Sequence, residues 1–169
     1  MMTTATIANT QINVGMGELV VSRDCDDILA CIGLGSCIAM CIWDPAAKVG
    51  GVAHMLLPVS RNNDSFGSPA KYISQGVPNL INKMLKSGAQ LDSIIIKMTG
   101  GARMLNIPGG NNILDIGQRN ITEAKATMKR LNLPIMAEDV GGSYGRSIQF
   151  SVGSGRVLVK SLAGRVIEL

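Results

Sequence analysis

Two apolar runs on either side of a turn signal constrain the fold of this chain more than any other feature. The segment 28–58 reads ILACIGLGSCIAMCIWDPAAKVGGVAHMLLP, and Asp44-Pro45 separates its two halves. Because the fixed φ of proline suits a tight turn, and because both halves are mostly apolar, the pattern predicts an antiparallel hairpin. The same segment contains the single histidine, His54, and three of the four cysteines. A strand pair that brings such side chains together is a candidate active site.

The loop length decides which residues of this hairpin face each other, because facing residues in an antiparallel pair have a constant index sum. A four-residue loop over 44–47 makes Cys37 face His54. A three-residue loop makes Cys37 face Met55 instead, and a bulge near a glycine would also shift the pairing. Each alternative puts the thiol and the imidazole near the same end of the hairpin, which is the first requirement for a Cys-His nucleophile pair.

The composition favours a single globular domain and argues against membrane and nucleic-acid partners. Of the 169 residues, 46% are hydrophobic and 17% are charged, which indicates a substantial core. No apolar run reaches the roughly 18 to 20 residues that span a bilayer, and no secretory pattern is present, so we expect a cytoplasmic protein without membrane insertion. The net charge is +4, but the basic residues are scattered and aromatic residues are few, which does not match a nucleic-acid-binding surface.

The cysteines do not form a metal-binding pattern. They lie at positions 25, 31, 37 and 41 without a C-x-x-C pair, and one histidine adds little to such a ligand set. We therefore expect no metal, no cofactor and no disulfide. Because Cys25, Cys31 and Cys41 lack the glycine-rich setting of Cys37, they are expected to be buried structural thiols.

The remaining pattern predicts an α+β fold, with packed mixed or antiparallel sheets and two main flanking helices in a layered sandwich. Residues 1–11 lack periodicity and are expected to form a loose N-terminal tail, which leaves 12–169 as one domain. Short apolar runs separated by glycine turns predict that the C-terminal third is mostly sheet.

Two segments have apolar residues at helical spacing. Ser68-Pro69 suits the start of the first helix, in which Gly76 and Pro78 are expected to cause a kink or a division into two parts. Asn120, with a glutamate three residues later, suits the start of the second helix.

The loop between these helices is the third notable segment. It carries Met104, Leu105 and Ile107 among glycines and asparagines. This composition is typical of either an ordered loop or a surface that docks another protein.

The glycine-rich stretch before Cys37 can support nucleophilic catalysis. Gly35 and Ser36 let a substrate approach the backbone closely, so amides at Ser36 and Cys37 could stabilise an oxyanion. His54 would accept the thiol proton and later protonate the leaving group. The alternative is structural: GLGSC is also a reasonable glycine turn between strands, and a lone histidine is often a structural residue.

Several motifs together resemble the CheD family of chemoreceptor glutamine deamidases. They are GLGSC, the run DPAAKVGGVAHMLLP, KY at 71–72, GGARM at 100–104, IGQRN at 116–120 and AEDVGG at 137–142. The resemblance implies a fold like the catalytic domain of cytotoxic necrotizing factor toxins. It also implies deamidation of glutamine side chains on methyl-accepting chemotaxis receptors, and in some members hydrolysis of receptor methyl esters.

The resemblance assigns roles to residues of this chain. It implies that Cys37 is the nucleophile and His54 the general base. The family typically has threonine six residues before the nucleophile as a third catalytic group, and this chain has Cys31 there. Because a thiol is a weaker hydrogen-bonding group than a hydroxyl, either Cys31 orients His54 poorly or a backbone carbonyl serves instead.

The resemblance also implies a second partner, a CheC-type CheY phosphatase that competes with the receptor. The region of Met104, Leu105 and Ile107 is then a candidate docking site. Two alternatives to the deamidase stay open: a weakly catalytic module that regulates such a phosphatase, and a cysteine hydrolase that acts on another amide or ester.

Overall fold

The computed structural model describes residues 10–60, 67–104 and 115–169. Ten strands and two helices occur in these ranges. In chain order they are β1 Thr10–Asn13, β2 Leu19–Ser22, β3 Asp27–Leu34, β4 Ile38–Asp44, β5 Val49–Met55, α1 Ile73–Lys86, β6 Ile95–Gly100, α2 Ile116–Arg130, β7 Ala137–Val140, β8 Arg146–Ser151, β9 Val157–Ser161 and β10 Val166–Glu168.

The strands form two five-stranded sheets. The outer sheet has the order β1-β3-β8-β9-β10, and the central sheet has the order β2-β5-β4-β6-β7. The pairs β1–β3 and β6–β7 are parallel, and the other pairs are antiparallel. Two mixed sheets with two helices confirm the predicted α+β class.

Strand β4 explains the layering, because its side chains are buried on both faces. Ile38, Met40 and Ile42 pack with both helices in one apolar cluster. Ala39 and Cys41 point the other way, into a second cluster that contains residues of the outer sheet. The central sheet therefore lies between the helices and the outer sheet. In the described ranges, neither helix is long and apolar enough to cross a membrane.

The hairpin of β4 and β5 forms, but both predicted registers are wrong. Asp44 stays in the ladder and faces Val49, so the loop comprises residues 45–48. The buried Asp44 carboxylate accepts hydrogen bonds from the amides of Ala46 and Ala47, each at 2.9 Å. Lys48 completes the turn at a φ of 53°. This turn chemistry moves the loop by one residue, so each residue of β4 faces a partner two positions beyond the one in the four-residue alternative.

The corrected register places His54 opposite Ala39. Cys37 precedes β4 by one residue, two positions from Ala39, and side chains two apart in an extended strand share a face. The cysteine and the histidine are thus diagonal neighbours at one end of the hairpin.

Helix α1 starts later than the sequence predicts. It begins at Ile73 instead of Ser68-Pro69, because the Ser68 hydroxyl donates to the Gly17 carbonyl at 2.7 Å and does not cap the helix. Pro78 lies inside one continuous helix, so the predicted division is wrong.

Helix α2 starts earlier than predicted. It begins at Ile116, and the Asp115 carboxylate caps it by accepting the Gln118 amide at 2.9 Å. Asn120, the predicted cap, lies inside the helix with its side chain fully buried. Its amide is used elsewhere in the fold.

Two further predictions concern segments that lie partly outside the residues that the structure describes. Strand β1 begins at Thr10, within the segment expected as a tail, while residues 1–9 lie outside the described part. Leu105 and Ile107 of the predicted docking region also lie outside it, whereas Met104 is described and 51% exposed.

Candidate active site

Cys37 and His54 lie on the same face of the central sheet, toward the outer sheet. Cys37 is half-buried and packs at the edge of the apolar cluster between the sheets. His54 is 2% exposed. Diagonal neighbours in an antiparallel pair have Cα atoms about 7–8 Å apart, and their Cβ atoms are closer. The fold therefore brings together the two residues that the sequence marks as nucleophile and base.

The ring of His54 is oriented by a backbone carbonyl. Nδ1 lies 3.1 Å from the carbonyl oxygen of Val14. Since a carbonyl oxygen only accepts, Nδ1 carries the hydrogen, and Nε2 is left with its lone pair. Nε2 is buried and has no hydrogen-bond partner among the described residues. The imidazole is thus held in the tautomer that can accept a proton at Nε2.

Burial shifts both groups toward their neutral forms. It lowers the pKa of His54, and the weaker opposing effects of the Val14 hydrogen bond and the Glu18 carboxylate do not reverse this shift. Burial also raises the pKa of the Cys37 thiol, with partial compensation from the residue's own backbone N–H. Both shifts favour a neutral thiol and a neutral imidazole at neutral pH.

Cys31 lies six residues before Cys37, at the position for which the family resemblance implies a third catalytic group. It is fully buried in the cluster between the sheets, and no hydrogen bond joins it to His54 in the described residues. Burial raises the pKa of its thiol, and the nearby Cys41 and Cys37 thiols add to the effect. Cys31 stays protonated, and the carbonyl of Val14 holds His54.

The other two cysteines divide between core and surface. Cys41 is buried, as predicted, and burial raises its pKa to about 12. Cys25 is exposed, so its predicted burial is wrong. It lies in the turn between β2 and β3, where the chain has left both sheets. All four thiols are free.

A glycine turn after β6 supports the backbone around the nucleophile. Gly101 N donates to Cys37 O, and Ala102 N donates to Gly35 O, both at 2.8 Å. Gly100 has a φ of 115°, and a Cβ there would lie 2.1 Å from Cys37 O. Only glycine permits this close approach between the turn and the cysteine.

Two amides beside the nucleophile are available to a substrate. Ser36 O accepts a hydrogen bond from Asn120 Nδ2 at 2.8 Å. Because a trans peptide directs its N–H opposite to its C=O, the carbonyl contacts of Gly35 and Ser36 fix the directions of the Ser36 and Cys37 amides. Within the described part of the chain, neither amide donates to another residue. An oxyanion site requires donors of this kind, and that role of the two amides stays a prediction.

Met104 lies at the rim of this turn. A Cβ on Gly35 would be 2.9 Å from Met104 Cγ, so the missing side chain leaves room for the methionine. The only predicted docking residue in the described ranges is therefore next to the nucleophile's loop.

Sequence reasoning missed three contributors to the site. Val14 contributes its backbone carbonyl, so its residue type does not reveal that it contacts His54. Gly101 lies in GGARM and Asn120 in IGQRN, the motifs that carry the family resemblance but had no assigned chemistry.

In the described ranges, no group of three or more His, Cys, Asp or Glu residues could hold a metal ion.

Comparisons with known proteins place the chain in a family. The family model "CheD chemotactic sensory transduction" matches residues 56–161. Proteins named "Probable chemoreceptor glutamine deamidase CheD" are 41% identical in Caldanaerobacter subterraneus subsp. tengcongensis and 42% identical in Desulfitobacterium hafniense, each over 89% of this chain and 93% of the relative. One from Methanococcus maripaludis is 40% identical over 89% of this chain and 94% of its own length.

A solved structure gives a weaker match. The Bacillus licheniformis hypothetical protein YfiH is 12% identical, with a TM-score of 0.42 over 79% of this chain and 60% of that chain. The family assignment consequently depends on the sequence relatives.

Fold and site define a two-sheet α+β protein with a Cys-His pair beside a glycine turn. The chain belongs to the CheD family.

Proposed function

We propose that this protein deamidates glutamine side chains of chemoreceptors, with Cys37 as nucleophile and His54 as general base. The observation that carries the proposal is the state of the imidazole. Nδ1 is held by the Val14 carbonyl, and Nε2 is buried without a partner among the described residues, on the sheet face that Cys37 shares. The relatives' names supply the substrate, since they are chemoreceptor glutamine deamidases.

The first half of the reaction forms a thioester. The Cys37 thiol gives its proton to His54 Nε2 while Sγ attacks the carbon of the glutamine carboxamide. The carbonyl oxygen becomes an oxyanion, which accepts hydrogen bonds from the amides of Ser36 and Cys37. When the intermediate collapses, the carbon–nitrogen bond breaks, and the proton on Nε2 leaves with the nitrogen as ammonia.

The second half regenerates the enzyme. Neutral His54 takes a proton from water, and the hydroxide attacks the thioester carbon. Collapse breaks the carbon–sulfur bond, leaves glutamate on the receptor, and returns the proton to the Cys37 sulfur. Carboxamide and water are converted to carboxylate and ammonium.

Mass spectrometry of a receptor cytoplasmic fragment tests this proposal. Incubation with the wild-type protein should add about one mass unit at each modified glutamine, and Cys37→Ala should lower the rate more than about 10³-fold because the covalent route is lost. Cys41→Ala is the matched control, since that thiol is buried in the core and should leave the rate nearly unchanged. Deamidation that persists in Cys37→Ala would refute the nucleophile assignment.

The same assay reports on methyl esters. A receptor glutamyl methyl ester offers Cys37 the same carbonyl with methanol as the leaving group. Esterase activity would appear as the loss of one methylene mass from a methylated fragment. Because the proposed substrate is the cytoplasmic part of the receptor, we also propose that this protein is located in the cytoplasm.

We further propose that a CheC-type phosphatase docks at Met104 and competes with the receptor. Support comes from the position of this exposed methionine against Gly35, in the nucleophile's loop. A molar excess of the phosphatase should slow deamidation by the wild type, and Met104→Gln should weaken that inhibition. Met136→Gln is the control, because Met136 is 64% exposed and lies outside the site. Equal inhibition of both variants would contradict the docking assignment.

A further inference from the structure

We propose that Asn120 is a positioning residue for this reaction: it orients the Ser36–Cys37 peptide so that the Cys37 amide points at the oxyanion. The inference rests on the proposed Cys37 mechanism and adds a residue to it. Asn120 does not contact the substrate. It acts through the peptide group that connects the nucleophile to the residue before it.

The side chain of Asn120 joins two parts of the site that are distant in sequence. Nδ2 donates to Ser36 O and to Leu56 O, each at 2.8 Å. Ser36 precedes the nucleophile, and Leu56 follows β5, which carries His54. Both hydrogens of one amide nitrogen thus hold the nucleophile loop and the base strand in one relative position.

The bond to Ser36 O acts directly on a catalytic donor. Ser36 C=O and Cys37 N–H belong to the same planar peptide and point in opposite directions. Holding the carbonyl fixes the direction of the N–H, and a peptide whose carbonyl accepts a hydrogen bond is a stronger donor at its nitrogen. The peptides on either side are held by backbone amides of Gly101 and Ala102. Of these three carbonyls, the Ser36 carbonyl is held by a side chain.

The setting of Asn120 shows that its donor bonds matter more than local helix stability. Asparagine is a poor residue for a helix interior, yet this one is completely buried in α2. Its Oδ1 is buried and has no partner among the described residues, and a buried acceptor without a hydrogen bond costs free energy of folding. An apolar residue would avoid this cost but would release the two carbonyls.

Two variants separate positioning from folding. Asn120→Asp has nearly the same shape but lacks the amide donor, and Asn120→Ala removes the group. We expect each to lower kcat for deamidation of the receptor fragment about 10- to 100-fold, by loss of oxyanion stabilisation. KM should change less than about twofold, because Asn120 does not bind substrate.

Alkylation of Cys37 by iodoacetamide, followed at the Cys37 peptide, provides the second measurement. Displacement of iodide forms no oxyanion, so alkylation depends on access to the Cys37 thiol and on its pKa, which burial raises, but not on an aligned amide. Its rate in both variants should stay within about threefold of wild type, well below the loss in kcat. Thr127→Val is the matched control: Thr127 is buried in α2, and in the described residues its hydroxyl bonds to the side chains of Glu123 and Arg130 of the same helix. This control should leave kcat unchanged.

Each contrary result has a separate meaning. If both Asn120 variants keep kcat within twofold of wild type while Cys37→Ala is inactive, the positioning role is wrong and the nucleophile assignment stands. A fall in kcat together with an equally large rise or fall in the alkylation rate would also overturn the role, because a distorted or unfolded loop changes access to Cys37 as well as catalysis. If Cys37→Ala remains active, the proposed function fails and this inference fails with it.

Discussion

At the scale of single residues, burial and one hydrogen bond set the protonation and the tautomer of His54. A buried imidazole resists protonation, and the Val14 carbonyl selects the tautomer with the lone pair on Nε2. The partner of the ring at Nδ1 is thus a backbone carbonyl and not the Cys31 thiol. The thiol of Cys31 contributes to the packing between the sheets.

The lowered pKa of His54 predicts a pH dependence of stability and activity. The unfolded chain binds a proton near the ordinary pKa of about 6.5, whereas the folded state resists it. Unfolding therefore takes up a proton between these two pKa values, and the free energy of unfolding should decrease as pH falls below about 6.5. The acid limb of kcat/KM should likewise have its midpoint below about 6.5.

Urea unfolding of wild type and His54→Gln across pH 5 to 7, roughly the histidine range, checks this prediction. The chain has no other histidine, so the variant should lose most of the slope near pH 6. Matching slopes in the two proteins would contradict the prediction.

At the scale of elements, the turn that follows β6 holds the backbone around Cys37 through hydrogen bonds from Gly101 and Ala102. Gly100 and Gly101 have φ values of 115° and 68°, so the chain can leave the sheet and return to the carbonyls around Cys37. Gly117, in the first turn of α2, packs against the same turn, since a Cβ there would be 2.4 Å from Ala102 O. Strand, turn and helix thus contact one another through backbone atoms.

Gly100→Ala should damage both stability and activity. Alanine at this φ is strained by about 1–3 kcal/mol, and its Cβ would also meet Cys37 O at 2.1 Å. Gly164→Ala is the control, because Gly164 has a φ of 83° but open space around its Cβ position. We expect a larger loss of unfolding free energy for Gly100→Ala, and loss of deamidation only there. Equal losses of stability in urea unfolding would show that the close approach is unimportant.

At the scale of the whole molecule, Arg146 connects the two sheets close to the site. It begins β8 in the outer sheet and is 1% exposed. Its guanidinium donates to the Asp139 carboxylate at 2.7 Å in β7 of the central sheet, and also to Gly141 O. Gly141 N in turn donates to Gly100 O at 2.9 Å. The junction between the sheets is therefore linked to the turn that holds Cys37.

The errors of prediction have a common physical origin. Ser68 and Asn120 both look like helix caps, because their side chains can accept backbone hydrogen bonds. In the fold, Ser68 bonds to Gly17 and Asn120 bonds to Ser36 and Leu56. The hairpin register is wrong for a similar reason, since the Asp44 carboxylate also accepts the Gln90 amide at 2.8 Å. Partners that are remote in sequence decided how each polar group is used.

Periodicity, turn residues and rare reactive side chains are local properties, so the hairpin, the α+β class and the candidates Cys37 and His54 could be predicted from the sequence. The atoms that contact these two residues could not be predicted, because they depend on the folded arrangement. The Val14 carbonyl, the turn at Gly101 and the amide of Asn120 act from three other parts of the chain. Backbone groups are the same in every non-proline residue, so their use depends on where folding places them.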